Sequence, residues 1–119
     1  MSVLPRIEEE YYEGFYRLGL KEKDTELLEI ARKIGMLNTE LKYLEDALKT
    51  CDSREIVYHY GRVMSSIDDL KEALTKRALA FKPLPERVIP LVELEDMEKE
   101  ITRLVTEGIK TCTIKGLVK

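Results

Sequence analysis

The sequence predicts an all-α fold, a four-helix bundle-like domain with a long antiparallel helical hairpin and a short extended C-terminal tail. Three observations carry this expectation. Charged residues make up 36% and hydrophobic ones 44% of 119 residues, with six glycines and four prolines, a balance suited to a helix-rich globular chain. Two long aliphatic series recur in steps of three and four residues. The stretch KRALAFKPLPERVIPLVEL then sets three prolines among residues that stay apolar. At this length one domain is expected, over residues 1–109, with 110–119 as a tail or linker.

The first helix is expected from Pro5, a favourable first helical residue, with Glu8, Glu9 and Glu10 at the positive end of the dipole. Ile7, Tyr11, Phe15 and Leu18 form its apolar stripe, and Gly19 is the expected stop. Tyr12 and Tyr16 make a second, half-polar stripe that either covers the edge of the core or rests on another subunit. The second helix starts at Asp24 or Thr25, either of which can cap it. Its seam is Leu27, Ile30, Ile34, Leu37, Leu41, Leu44 and Leu48, interrupted by Gly35, which marks close approach by another backbone or a slight bend. In CDSRE, Asp52 and Glu55 resemble a capping box, so a third helix should follow with the seam Ile56, Tyr60, Val63, Ile67, Leu70, Leu74, Arg77 and Phe81. Two such helices joined by a few residues form an αα-hairpin. At 1.5 Å per residue the first of them is about 40 Å long, more than the diameter of a compact chain of this size. The hairpin must therefore protrude or be covered by a partner.

Pro83 and Pro85 end the third helix, because proline lacks a donor and biases its predecessor away from helical geometry. Pro90 suits the first position of a fourth helix. Leu84, Val88 and Ile89 stay apolar because the corner itself is expected to pack against the hairpin or a neighbour. Leu91, Leu94, Met97, Ile101 and Leu104 continue the helical spacing, and Gly108 with Ile109 reads as a Schellman-type stop. The remaining TCTIKGLVK is a linker or a strand completed by a partner.

Little in the chain carries chemistry. His59 has no second histidine with which to build a metal site, and it reads as structural or exposed. No serine or cysteine has an obvious base beside it. Asp68, Asp69, Glu95, Asp96 and Glu98 are interleaved with Lys71, Lys76 and Lys99, which fits solvated helical faces. GxGxxG and P-loop patterns are absent, so the chain is expected not to be an enzyme and to need no cofactor or metal. Cys51 and Cys112 stand far apart and are expected as buried or incidental thiols, with no need of a disulfide. No stretch approaches the roughly 18 apolar residues of a membrane span. The opening MSVLPRIEEEYYEG lacks a basic region followed by an apolar run, which leads to a cytoplasmic expectation. A formal charge of −3 argues against general attraction to nucleic acid, although Lys110, Lys115 and Lys119 make the end of the chain one-signed, as a solvated tail or a phosphate contact. Lys76 and Arg77 interrupt the seam before the corner, either snorkelling at the helix end or tying the helix to a carboxylate of another subunit.

The order of these features resembles the helical A domain of archaeal GINS proteins over about residues 5–107: an aromatic-rich first helix with EEYYEGFYRL, two longer helices, the helix end LKEALTKRALAF, a proline-punctuated turn and an acidic last helix. In that family a long helix ends in a basic and aliphatic stretch, the part that Lys76, Arg77, Ala78, Leu79 and Ala80 play here. The family commonly continues into a small β-rich domain, and here only a few strand-like residues follow Gly108. The resemblance implies a non-catalytic subunit of a tetrameric ring that joins the MCM helicase and a RecJ-like or Cdc45-like partner. Tyr12, Phe15, Tyr16, Arg77, Phe81, Val88 and Ile89 are the expected interface residues. A generic helical adaptor or homodimer, or a small nucleic-acid-binding accessory protein using Lys21, Lys23 and the tail, fits the same residues.

Overall fold

The computed structural model describes residues 3–114 and 116. Its elements are α1 (Glu9–Glu22), α2 (Thr25–Thr50), α3 (Ser53–Leu79) and α4 (Leu91–Ile114). The α2–α3 hairpin is the spine. Leu27, Ile30, Ile34, Leu37, Leu41, Leu44 and Leu48 of α2 are buried together with Ile56, Val63, Ile67, Leu70 and Leu74 of α3, and each contributes about 2 kcal/mol by leaving water. Helix α2 packs on all three other helices, and α3 packs on α2 and α4. The described molecule measures 53 × 22 × 19 Å with a radius of gyration of 16.1 Å, so it is a short rod along its 26-residue α2.

Asp24 caps α2 by accepting from the N–H groups of Glu26 and Leu27, and Asp52 caps α3 by accepting from those of Arg54 and Glu55. Only half of the expected capping box forms at Asp52, since the Asp52 N–H bonds the Ala47 carbonyl and the Glu55 carboxylate turns to His59.

Helix α1 begins at Glu9, four residues after Pro5. The amide of Asn38 takes both backbone groups of Ile7, donating to its carbonyl and accepting from its N–H at 2.9 Å each. Leu4 N–H donates to Glu45. These bonds hold the leading segment extended along α2, and Leu4 and Ile7 are buried from there. Gly19 does not stop α1. It lies inside the helix, where an added Cβ would come within 2.8 Å of the Leu28 side chain and 3.1 Å of its backbone nitrogen. The helix ends at Lys23, which adopts the left-handed conformation.

Helix α3 ends at Leu79, and Phe81 falls off its seam into a turn at φ 54°. The corner then packs back on α1. Pro85 approaches Gly14, Arg87 reaches Glu10 and lies over the Tyr11 ring at 5.1 Å, and Ile89 is buried with Leu84 and Val88 packed beside it. Pro90 sits just before α4 rather than in its first position, with its carbonyl accepting from Glu93 and Leu94.

Gly108 does not end α4 either. The helix continues to Ile114 because Gly108 lets α4 pass close to Leu48, whose Cδ2 would lie 2.8 Å from an added Cβ. Those extra turns bring Cys112 beside Cys51, and the two form a disulfide with Cα atoms 5.7 Å apart. The expectation of unpaired thiols is thereby overturned, for the same reason as the expected stop. Lys110 belongs to α4, while Lys115 and Lys119 of the expected tail lie outside the described residues.

Candidate functional site

Two polar clusters bridge the hairpin. At one end, Arg77 is 0% exposed although it occupies a seam position. Its Nη1 lies 2.9 Å from Asp24 Oδ2 and 3.0 Å from Glu26 Oε1, while Nε and Nη2 donate to the Pro83 carbonyl at 3.0 and 2.7 Å. Neither expectation for Arg77 describes this arrangement. The side chain does not snorkel, and the carboxylates that it meets belong to its own chain. Desolvation alone would raise the Asp24 carboxyl. Hydrogen bonds from Arg77 and from the Leu27 N–H outweigh it, and the group settles below the ordinary carboxylate range. One arginine thus joins the start of α2, the end of α3 and the proline corner.

Further along the rod, Glu40 of α2 is buried between two side chains of α3. His59 Nδ1 lies 2.9 Å from one carboxylate oxygen, and Arg62 Nε donates to the other at 2.8 Å. His59 Nε2 lies 3.0 Å from Glu55, so carboxylates occupy both ring nitrogens. Tyr58 meets the His59 ring edge-on at 5.0 Å and lies under the Arg62 guanidinium. Desolvation pushes the Glu40 carboxyl up, but the His59 and Arg62 hydrogen bonds more than offset it and leave the group lowered. This cluster knits two helices together. Glu40 was not singled out by sequence reasoning, though its place three residues after Leu37 and four before Leu44 puts it on the flank of the seam.

The expected interface residues divide by burial. Phe15 and Ile89 are in the chain's own core, Tyr12 and Val88 are half-buried, and Tyr16 is exposed with its ring stacked on that of Tyr12. Phe81 is 94% exposed. Sequence reasoning missed other large apolar side chains on the surface, among them Leu20, Tyr43, Val57, Tyr58 and Val92, while Leu79, in the basic and aliphatic end of α3, is exposed as well. Of the acids singled out on α3 and α4, Asp68 and Glu98 both meet Lys71, and the closer contact, Lys71–Glu98 at 2.8 Å, joins the two helices instead of running along one.

Among the described residues no group of three or more His, Cys, Asp or Glu side chains is placed to hold a metal ion. The depressions are open to solvent. One of about 520 Å³ lies between α2 and α3, with Glu26, Ile30, Lys33, Ala73 and Lys76 in its lining. No helix of the described residues is long and apolar enough to cross a membrane. No family model, curated protein or solved structure matches the chain.

Proposed function

We propose that this chain is a non-catalytic helical subunit or scaffold that works by binding other proteins. The observation that carries this reading is the combination of a narrow rod with large apolar side chains on its surface, Phe81 and Leu79 foremost. Such residues scattered singly are ordinary, but a rod 22 × 19 Å in section keeps every surface side chain close to any neighbour that lies along it. Its polar clusters support the same reading, since their donors and acceptors are spent on holding helices together. Within this reading, the resemblance of EEYYEGFYRL and LKEALTKRALAF to the GINS A domain supports a replication subunit that joins the MCM helicase.

Light scattering of the purified chain, alone and after recovery from its native extract with mass spectrometry of what accompanies it, tests the proposal. A discrete assembly containing other protein subunits is expected, with replication proteins among them for the finer reading. A stable monomer that recovers no protein overturns both.

A further inference from the structure

We propose that the Cys51–Cys112 disulfide is a redox latch: oxidised, it holds the last turns of α4 helical against the hairpin tip, and reduced, it lets them unwind and uncovers Leu48. The proposal is independent of the scaffold reading. It rests on a conflict between what residues 106–114 favour alone and what they form here.

Six of the nine residues from Thr106 to Ile114 are glycine, threonine or isoleucine, all poorer helix formers than the glutamates, leucine, methionine and lysine that, Asp96 apart, fill Glu93 to Glu100. The β-branched ones lose side-chain freedom in a helix and suit an extended chain. Thr106, Thr111 and Thr113 turn their hydroxyls back to the carbonyls of Thr102, Glu107 and Ile109 at 2.8, 3.0 and 2.9 Å, a bond that weakens a helix slightly. The last turns of α1, α2 and α3 each carry a base at the negative end of the dipole, and the last turn of α4 carries none. Among the described residues, the ion pair that supports the segment along the helix is Arg103–Glu107 at 2.8 Å, at its very start.

Tertiary contact adds little. Cys112 is the one buried residue of the nine, Gly108 is half-buried against Leu48, and the other seven are exposed. A glycine laid on one leucine removes little apolar surface from water, so the helix end depends on the covalent bond. The other half of the bond is anchored differently. Cys51 stands in the short connection between α2 and α3, its N–H donates to the Leu48 carbonyl, and Asp52 beside it caps α3. Reduction therefore frees the end of α4 and not the hairpin. A purely structural cross-link would join two elements that each stay in place without it. On release, Leu48, now 7% exposed, loses the cover of Gly108, and Ile109 and Ile114 leave with the unwound segment. The redox state thereby decides which surface the hairpin tip presents.

The step is thiol–disulfide exchange with a dithiol. One thiolate of the reductant attacks a sulfur of the bond and displaces the other cysteine as a thiolate. The reductant's second thiolate then displaces the first cysteine, and both cysteines end as thiols while the reductant closes its own disulfide. Both cysteines are buried, so exchange runs through opening of the last turns, which their weak helix propensity supplies.

The full chain, alkylated without reduction and digested, should yield Cys51 and Cys112 in one linked peptide pair by mass spectrometry, and two alkylated cysteines overturn the proposal. Amide hydrogen exchange is then followed in dithiothreitol and again after oxidised glutathione. Residues 106–114 should exchange about tenfold faster when reduced and recover on reoxidation, with α1 and the middle of the hairpin unchanged. No change on reduction overturns the latch, because packing then holds the helix end, and a rise spread across the bundle overturns it in favour of a structural cross-link. The combined Thr106→Ala, Thr111→Ala and Thr113→Ala variant replaces three exposed side chains and keeps both cysteines, so it should fold as the parent does. Its higher helix propensity should keep the segment protected after reduction, with a gain in exchange at least about threefold smaller. An equal gain in parent and variant overturns the inference, since a weak helix would not be what the bond opposes.

Discussion

The same substitution should act with opposite sign at two glycines of this bundle. Gly61 lies on the exposed face of α3 with nothing within 4 Å of an added Cβ, so Gly61→Ala should stabilise by about 1 kcal/mol through helix propensity alone. At Gly19 the Leu28 backbone nitrogen stands 3.1 Å from the new Cβ, and Gly19→Ala should destabilise by about 1 kcal/mol despite the same propensity gain. Urea denaturation of the two variants checks both, and a gain at Gly19 would show that the α1–α2 contact is looser than described. Glu40 sets a pH dependence. Because its carboxyl is held below the ordinary value of 4.5, its contribution to stability is complete above that value and is lost as pH falls through the lower, folded one. Melting temperature should therefore fall on acidification from about pH 5 to about pH 3, and the fall should be smaller in Glu40→Gln. An equal fall in both proteins would assign the acid sensitivity to other carboxylates. Residues of this kind were half-legible in the sequence. Gly35 was marked for close approach by another backbone or a slight bend, yet an added Cβ there would meet only the Tyr12 ring at an ordinary 3.7 Å, and Glu40 and Asn38 were passed over because a polar residue on a helix flank carries no mark of the partner waiting there.

At the scale of elements, α4 beyond Val105 is held by few contacts. Thr106, Glu107, Ile109, Lys110, Thr111, Thr113 and Ile114 are exposed, and among the described residues Gly108 against Leu48 and the Cys51–Cys112 disulfide tie these turns to α2 and its end. With the cysteines 61 positions apart in sequence, the chain-entropy model gives the cross-link a stabilisation of about 4 kcal/mol. The double variant Cys51→Ser with Cys112→Ser should lower stability by up to that amount, with faster amide exchange in α4 after Val105 as the leading local change. A uniform rise in exchange across the bundle would show that the disulfide secures the whole fold instead. Helix existence was legible throughout, because each seam repeats its apolar spacing over many turns. Helix ends were legible where a side chain does the capping, as at Asp24 and Asp52, and illegible where packing decides. A glycine reads as a stop from sequence, yet Gly19 and Gly108 are mid-helix residues whose missing side chain makes room for Leu28 and Leu48.

For the whole molecule, α2 is as long as expected and the shape is elongated, but the hairpin neither protrudes nor needs a partner to cover it, because α1, the corner and α4 of the same chain do so. A helix of 26 residues cannot fit within a sphere packed from this chain, and the described rod is 53 Å long with a radius of gyration of 16.1 Å against about 13–14 Å for a compact domain. The rod is covered along its length by α1, the corner and α4 in turn, so the corner's apolar residues serve this chain's own core first. By itself the sequence determined the all-α class, the hairpin, its two seams and the packed proline corner, because these follow from local periodicity and from the geometry of proline. Tertiary structure alone decided where α1 begins, that α4 passes Gly108, that Cys112 meets Cys51, and that Arg77 turns inward to Asp24, Glu26 and Pro83. Each of these depends on a partner distant in sequence, and spacing along one helix says nothing about which helix will lie beside it.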